Sequence, residues 1–399
     1  MLVKRIIRRL LRMVRRKPTP QLIAIPQTGR ASHGLDVLGF FTSEHGVGEA
    51  ARVLTSTLQS ASVSVSTIDY TDTESRREHA YTCDNVSKYK VLLASINSDQ
   101  LSAAHTRISP SFFDDRYVIG QWFWELEELP ERYQRSFELV DEIWAPTLFI
   151  KEALEKKAPS SVKVTHMQLP LVTPELDSSI NRNSFGIGNG YAFLFTFDLM
   201  SVLKRKNALG LIDAYCAAFS ENDGAVLVLK TINGDQRLSE LEKIRWRARS
   251  RKDIVIIDQY LAVQESASLM NLCDCYVSLH RSEGLGLTMA EAMLLGKPVI
   301  ATAYSGNMDF MTEDTALLVP WEYTEVGDNA ESYPAEARWA EPDLSVASSM
   351  MRKLFQDREF GEALGDRAKR DLQSRFSPQV TGERMKNRLE NIWRRNNGK

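Results

Sequence analysis

The stretch HRSEGLGLTMAEAMLLGKPVIATAYSGNMDFM, residues 280–311, decides how the chain is read. Just before it, an apolar run at residues 275–279 has the length and composition of a buried strand. Gly284 and Gly286 break the run, and a helical pattern starts at Leu287, with apolar residues at Met289, Met293 and Leu294. Gly296, Lys297 and Pro298 supply the signals of a helix end. Val299 to Ala301 reads as the next short buried strand, and Ser305, Gly306 and Asn307 as another turn. Strand, glycine loop, helix, strand is a βαβ crossover, which joins parallel strands.

In such a unit the loop sits at the carboxyl end of a strand and opens onto a helix N-terminus. Its free backbone N–H groups and the helix dipole suit an anion such as a phosphate. Glu283 stands at the start of the loop and Glu291 one turn into the helix, eight positions apart. A carboxylate accepts hydrogen bonds from sugar hydroxyls in pairs. The combination predicts a ligand with hydroxyls at both ends and a diphosphate between, a nucleotide sugar. Two glutamates at this spacing are common, so the weight comes from the surrounding chain.

Outward from this unit the same alternation continues in both directions. Residues 191–376 read as one α/β domain: YAFLFTFDL is its first strand, and the loop and helix MSVLKRKNALGLIDAYCAAF follow. Further strands are AVLVLKT and DIVIIDQY, with helices at LSELEKIRWRARS and SASLMNLCD. LKRKN, residues 203–207, places three cations at a helix start just after a strand, where charge and dipole together favour a diphosphate; the alternative is a solvated surface run. Residues 322–343, rich in Glu and Asp, read as an acidic surface loop inserted in this domain. Residues 377–399 read as a C-terminal helix that packs back on the first domain.

Residues 171–190, with Pro174, several Ser and Asn and three glycines, read as a linker. Before it, residues 34–170 form another alternating domain. LDVLGFF is a strand, and TSEHGVGEAARVLTSTLQSA a glycine loop that opens onto an amphipathic helix, with Gly46, Gly48 and Glu49 at its start. A lone G-x-G also fits a purely structural turn. The segment YVIGQWFWE reads as a strand whose end crowds Trp122, Phe123 and Trp124 before Glu125. Either Glu125 faces a cleft from the carboxyl end of that strand, or the bulky end packs on the next helix.

The composition, 43% hydrophobic and 26% charged over 399 residues, is that of a globular protein with room for two sizeable cores. Net charge is −2, but residues 1–17 hold eight Lys and Arg and no acid, leaving 42 basic against 52 acidic residues in the remainder. An acidic body excludes nucleic acid as its partner. In MLVKRIIRRLLRMVRRK, apolar pairs recur between the cations, so a helix there carries one apolar stripe flanked by charge. It is too short and too charged to span a bilayer. A helix lying on anionic lipid, at the inner face of the plasma membrane of a cytoplasmic protein, is the expectation; a disordered basic tail is the alternative. Residues 18–33 read as a tether. Cys83, Cys216, Cys273 and Cys275 read as reduced and mostly buried thiols. No Asp-x-Asp occurs to hold a divalent metal.

These motifs together resemble the retaining GT-B glycosyltransferases with the E-x7-E signature, family 4. The matching segments are EGLGLTMAE at 283–291, AMLLGKPVIAT, YSGN at 304–307, FDLMSVLKRKN at 197–207, SEHGVGEAAR at 43–52 and WFWELEELPERY at 122–133. The resemblance implies two Rossmann-like domains facing across a cleft. It implies that Glu283 contacts the donor sugar hydroxyls and Glu291 the ribose, while the backbone near Gly286, Leu287 and Thr288 holds sugar or phosphate. Lys206, with Arg205, neutralises the departing diphosphate, so no metal or other cofactor is expected. Gly46 and Gly48 approach the donor phosphates from the first domain, and His280 joins the donor-binding set. Ser201 stands where many members carry an Arg, and WFWE where many carry a His; Glu125 is the candidate for the latter's role. The implied reaction moves a hexose, mannose from GDP-mannose first among the donors, to a lipid-linked or lipopolysaccharide saccharide. The alternatives are a sugar-nucleotide epimerase, a phosphorylase, or an inactive sugar-nucleotide-binding partner at the membrane.

Overall fold

A computed structural model describes residues 22–397, apart from 74, 329, 331 and 332. The basic segment 2–17 and the expectation of a membrane-surface helix lie outside the described residues.

The first domain contains β1 (Gln27–Ala31), β2 (Leu35–Gly39), α1 (Gly46–Ser60), β3 (Val65–Asp69), β4 (Ser87–Tyr89), β5 (Val91–Ser95) and α2 (Ser98–Arg107). It continues with β6 (Tyr117–Gln121), β7 (Glu142–Ala145), α3 (Leu148–Glu155) and β8 (Lys163–His166). Six of these strands form one parallel sheet in the order β3-β2-β5-β6-β7-β8. Strands buried on both faces must be apolar throughout, and β2 and β5 are buried at every position. The one charge in β2, Asp36, is fully buried and balanced by Arg116 at 2.6 Å and by the Ser87 hydroxyl at 2.8 Å. Such a pair is tolerated because both Asp36 oxygens are hydrogen-bonded, to Arg116, Ser87 and Lys88 N; removing either partner would strand a buried charge.

The second domain contains β9 (Tyr191–Asp198), α4 (Leu203–Lys206), α5 (Ala208–Ala218), β10 (Ala225–Ile232), α6 (Leu238–Ala248), β11 (Ile254–Asp258), α7 (Val263–Leu272) and β12 (Cys275–Ser278). After these come α8 (Leu287–Leu294), β13 (Val299–Thr302), β14 (Leu317–Val319), β15 (Trp321–Glu325), β16 (Arg338–Pro342) and α9 (Leu344–Gln356). Its parallel sheet runs β11-β10-β9-β12-β13-β14. Counted from β9, this is the 3-2-1-4-5-6 order of a doubly wound nucleotide-binding sheet, and the order reverses between β9 and β12. Ligands of such sheets bind outside the carboxyl ends of the strands at that reversal.

The last two helices, α10 (Arg358–Phe376) and α11 (Pro378–Asn397), run back to the first domain. Along α11, Gly382 lies against Thr57 and Ala61 of α1, Arg388 binds Glu142 at 2.8 Å, and the Trp393 indole donates to Gly34 O at 3.2 Å. The chain thus crosses between domains twice, and the crossings touch where Leu171 N donates to Phe376 O at 2.9 Å.

Three sequence expectations are corrected. The acidic insertion is not a plain surface loop: β15 and β16 pair as an antiparallel hairpin, and Val326, Trp339 and Ala340 are buried. The strand β6 ends at Gln121, so WFWE lies in the turn beyond it, with Trp122 edge-on to Phe137. Of the four cysteines, Cys273 and Cys275 are buried, whereas Cys216 is exposed. Among the described residues no helix is long and apolar enough to cross a membrane.

Candidate active site

The topological reversal brings together two loops that are 77 residues apart. After β9 the chain turns into α4, which lasts one turn because Asn207 adopts a left-handed conformation with φ of 55°. The Asn207 amide donates to Leu279 O at 2.8 Å, tying α4 to the end of β12. Gly210 has no side chain because a Cβ there would collide with that amide. The loop after β12 is fastened from the other side. Arg281 N donates to Arg205 O, Arg205 Nη1 to Ser282 O, Glu283 N to Ser305 Oγ, and Gly306 N to Glu283 O, all between 2.8 and 2.9 Å. A Cβ at Gly306 would overlap the Gly284 carbonyl, so the two turns approach as closely as backbone allows.

The product is a compact charge cluster. Lys206 Nζ lies 2.5 Å from Glu283 Oε1, and Arg205 Nη1 lies 3.2 Å from the same oxygen. Arg205 is 5% exposed and Glu283 12%. Burial alone would raise the Glu283 carboxyl, but Lys206 and Arg205 outweigh it and hold it at about 2. Burial lowers Lys206, with Glu283 partly compensating. The cluster therefore holds two cations to one carboxylate. Beside it, α8 starts at Leu287 from Gly286, whose φ of 92° favours glycine, and no side chain caps that start. Met289 N donates to Gly286 O at 3.0 Å, and the Leu287 and Thr288 amides stand at the uncapped helix start.

Glu291, in α8, is half-buried and titrates at about 7, raised by burial and then by Glu49 of the first domain. Glu49 itself binds Arg52 at 2.8 Å. Gly48 is needed for loop packing, since a Cβ would lie 2.6 Å from Phe40 O, whereas Gly46 is open to space at the start of α1. His45 Nδ1 accepts from Gly48 N at 3.2 Å, and burial and Arg52 push the imidazole down to about 4. Thr288 Oγ1 accepts from Tyr276 at 2.8 Å. His280 is fully buried, with Nδ1 3.0 Å from Ser278 Oγ and Nε2 3.1 Å from Asn307 Oδ1. It sits behind the loop and holds it; no face of the ring is open to a donor.

Glu125 reaches the edge of the cluster from the first domain. Its Oε2 accepts from the Tyr333 hydroxyl at 3.0 Å, and its carbonyl accepts from Ser282 Oγ. The Tyr333 ring packs against Trp124 and Trp339, with centroids 5.6 and 6.1 Å away. Sequence reasoning did not single out Tyr333, Ser305, Asn307 or His45. YSGN and SEHGVGE contain the last three, and only the fold shows what they fasten.

Residues 192–331 match the family model described as Glycosyl transferases group 1. The fold resembles HepE of Anabaena, solved with UDP and glucose, at 14% identity over 90% of this chain and all of that one, with a TM-score of 0.63. It also resembles the sucrose-phosphate synthase of Thermosynechococcus elongatus, at 12% identity, 90% and 99% coverage and a TM-score of 0.68. The chain has the two-domain fold of these proteins, with a region like the glycosyl transferases group 1 in its second domain. No curated protein sequence matches it significantly. The Glu283–Lys206–Arg205 cluster lies inside the matched region, while Glu125, Gly46 and Gly48 lie in the first domain. Among the described residues no group of three or more His, Cys, Asp or Glu side chains is placed to hold a metal ion.

Proposed function

We propose that this glycosyltransferase transfers a hexose from a nucleoside diphosphate sugar, with retention of anomeric configuration, to a hydroxyl of a lipid-linked or lipopolysaccharide-type saccharide. The observation that carries the reading is the pair of cations, Lys206 and Arg205, converging on Glu283 at the β9–β12 reversal beside an uncapped helix start. A diphosphate seated there meets both cations and the first-turn amides. Glu291 reaches the ribose diol, and Glu283 the sugar hydroxyls. HepE is solved with UDP and UDP-glucose, so UDP-hexoses are the first donors to test and GDP-mannose follows.

In the reaction the bond from C1 to the phosphate oxygen breaks, and the acceptor oxygen bonds to C1 on the same face. The acceptor proton passes to the departing diphosphate. Negative charge grows on the leaving group, so Lys206, Arg205 and the helix start stabilise the transition state more than the bound donor. Glu283 is ion-paired and Glu125 is held by Tyr333, which supports a route without a protein nucleophile. Charge neutralisation is assigned to the two cations, in keeping with the missing Asp-x-Asp. The basic segment 2–17 is assigned to the anionic inner face of the plasma membrane, near a lipid-linked acceptor.

The test is a thermal-shift screen with UDP- and GDP-hexoses, followed by transfer from the stabilising donor to membrane-extracted saccharides. A donor that binds the fold raises its melting temperature by mass action. Conversion of the donor without acceptor would favour an epimerase, and binding without any transfer an inactive partner.

A further inference from the structure

The two domains enclose between them a groove of about 580 Å3. This is within the roughly 300–1,000 Å3 of small-ligand sites. Its walls are α3 of the first domain and the turn 303–309 of the second, and its floor includes Ser305, the residue that fixes Glu283 N.

Four aromatic rings run across its rim from one domain to the other. Phe149 stands edge-on to Tyr304 at 5.5 Å, Tyr304 packs on Trp321 at 4.6 Å, and Trp321 stands edge-on to Tyr323 at 4.9 Å. Tyr323 is 47% exposed, and Leu148 and Met308 are also among the exposed large hydrophobic side chains. Beside the rings, Glu127 Oε1 accepts from Tyr304 at 3.2 Å and Tyr323 at 2.6 Å, and Glu152 lines the same wall. Of the charged groups in the groove, His166 is matched to Asp309 at 2.7 Å and Lys156 donates to Glu127 O at 2.9 Å. Among the lining residues the carboxylates Glu127, Glu152 and Asp309 outnumber them; at the rim the Arg338 guanidinium lies 4.4 Å from the Tyr323 ring centre.

We propose that this groove is a second saccharide-binding site, which holds uncharged sugar units of the acceptor chain while its terminal hydroxyl is glycosylated in the main cleft. Aromatic faces pack against the C–H faces of sugar rings, and carboxylates accept their hydroxyls in pairs. The surplus of carboxylates repels uronic acids and phosphorylated sugars. Because both domains line it, the groove is complete only when the cleft is closed, which couples chain binding to assembly of the active site. The inference rests on the transferase reading, since it takes the occupant to be the acceptor.

The test uses the full chain and calorimetric titration with maltopentaose, cellopentaose, mannopentaose and pentagalacturonate. At least one neutral pentasaccharide binds, pentagalacturonate binds at least about tenfold more weakly, and Tyr323→Ala and Glu127→Gln each weaken the neutral ligand by about tenfold. Failure of all three neutral sugars to bind at millimolar concentration overturns the proposal, as does binding that both variants leave intact or equal binding of the acidic sugar. UDP-glucose is titrated into the same samples, and its affinity is unchanged by either substitution. Neutral-sugar binding in a protein that ignores every nucleotide sugar supports the groove and counts against the donor site.

Discussion

Glu49 of the first domain and Glu291 of the second are like charges set against each other across the cleft, and burial together with this repulsion pushes the Glu291 carboxyl up to about 7. Under the proposed function, this acid poised at neutral pH faces the ribose diol of the donor. Two hydroxyls that donate to one group favour its ionised form. On that reading, donor binding should draw the proton off Glu291.

UDP-glucose affinity is accordingly expected to fall roughly tenfold between pH 8 and pH 6, as Glu291 takes up its proton. Glu291→Gln should bind more weakly at pH 8 and lose most of the pH dependence. Stability moves the other way. The folded carboxyl holds its proton above the unfolded value of 4.5, so the donor-free protein loses stability as pH rises from about 4.5 through about 7. Glu291→Gln should raise the melting temperature at pH 8 and not at pH 4. Calorimetric titration and thermal melts over this range check both signs.

Tyr333→Phe removes the hydroxyl that donates to Glu125 but leaves the ring between Trp124 and Trp339. The expected cost is about 2 kcal/mol, the net value of a hydrogen bond to a carboxylate, felt as a weaker closed state. Small-angle scattering should show a more open molecule, and kcat/KM for the acceptor should fall while UDP-glucose affinity stays. An unchanged acceptor constant would make the contact a packing detail.

Deletion of residues 2–17 should release the protein from vesicles that contain anionic lipid, and moderate salt should weaken the intact protein's attachment. Sedimentation with vesicles measures both. Binding that survives the deletion would place the membrane contact elsewhere.

The parallel sheets were legible because strands buried on both faces read as mostly apolar runs, as β5 and the first five residues of β9 do. That LKRKN and the 280–286 loop serve one ligand came from the family resemblance, and the structure brings Lys206 and Arg205 onto Glu283. The hairpin β15–β16 was not legible. Its exposed Glu322, Glu325 and Arg338 make the segment look like a solvated loop, while Val326, Trp339 and Ala340 carry its packing. Nor does any local signal join Tyr333 to Glu125, which are 208 residues apart. Aromatic residues after β6 extended the expected strand because bulky apolar runs read alike whether they continue a ladder or turn aside, as Trp122 does onto Phe137.

The most direct test of the account is the turnover of Lys206→Ala with its best nucleotide sugar and acceptor, beside the unsubstituted enzyme. Loss of one cation that meets the departing diphosphate should lower kcat about a hundredfold, ~3 kcal/mol of transition-state stabilisation, with a smaller change in donor affinity. An unchanged kcat would contradict the assignment of the Glu283–Lys206–Arg205 cluster as the site where the diphosphate leaves.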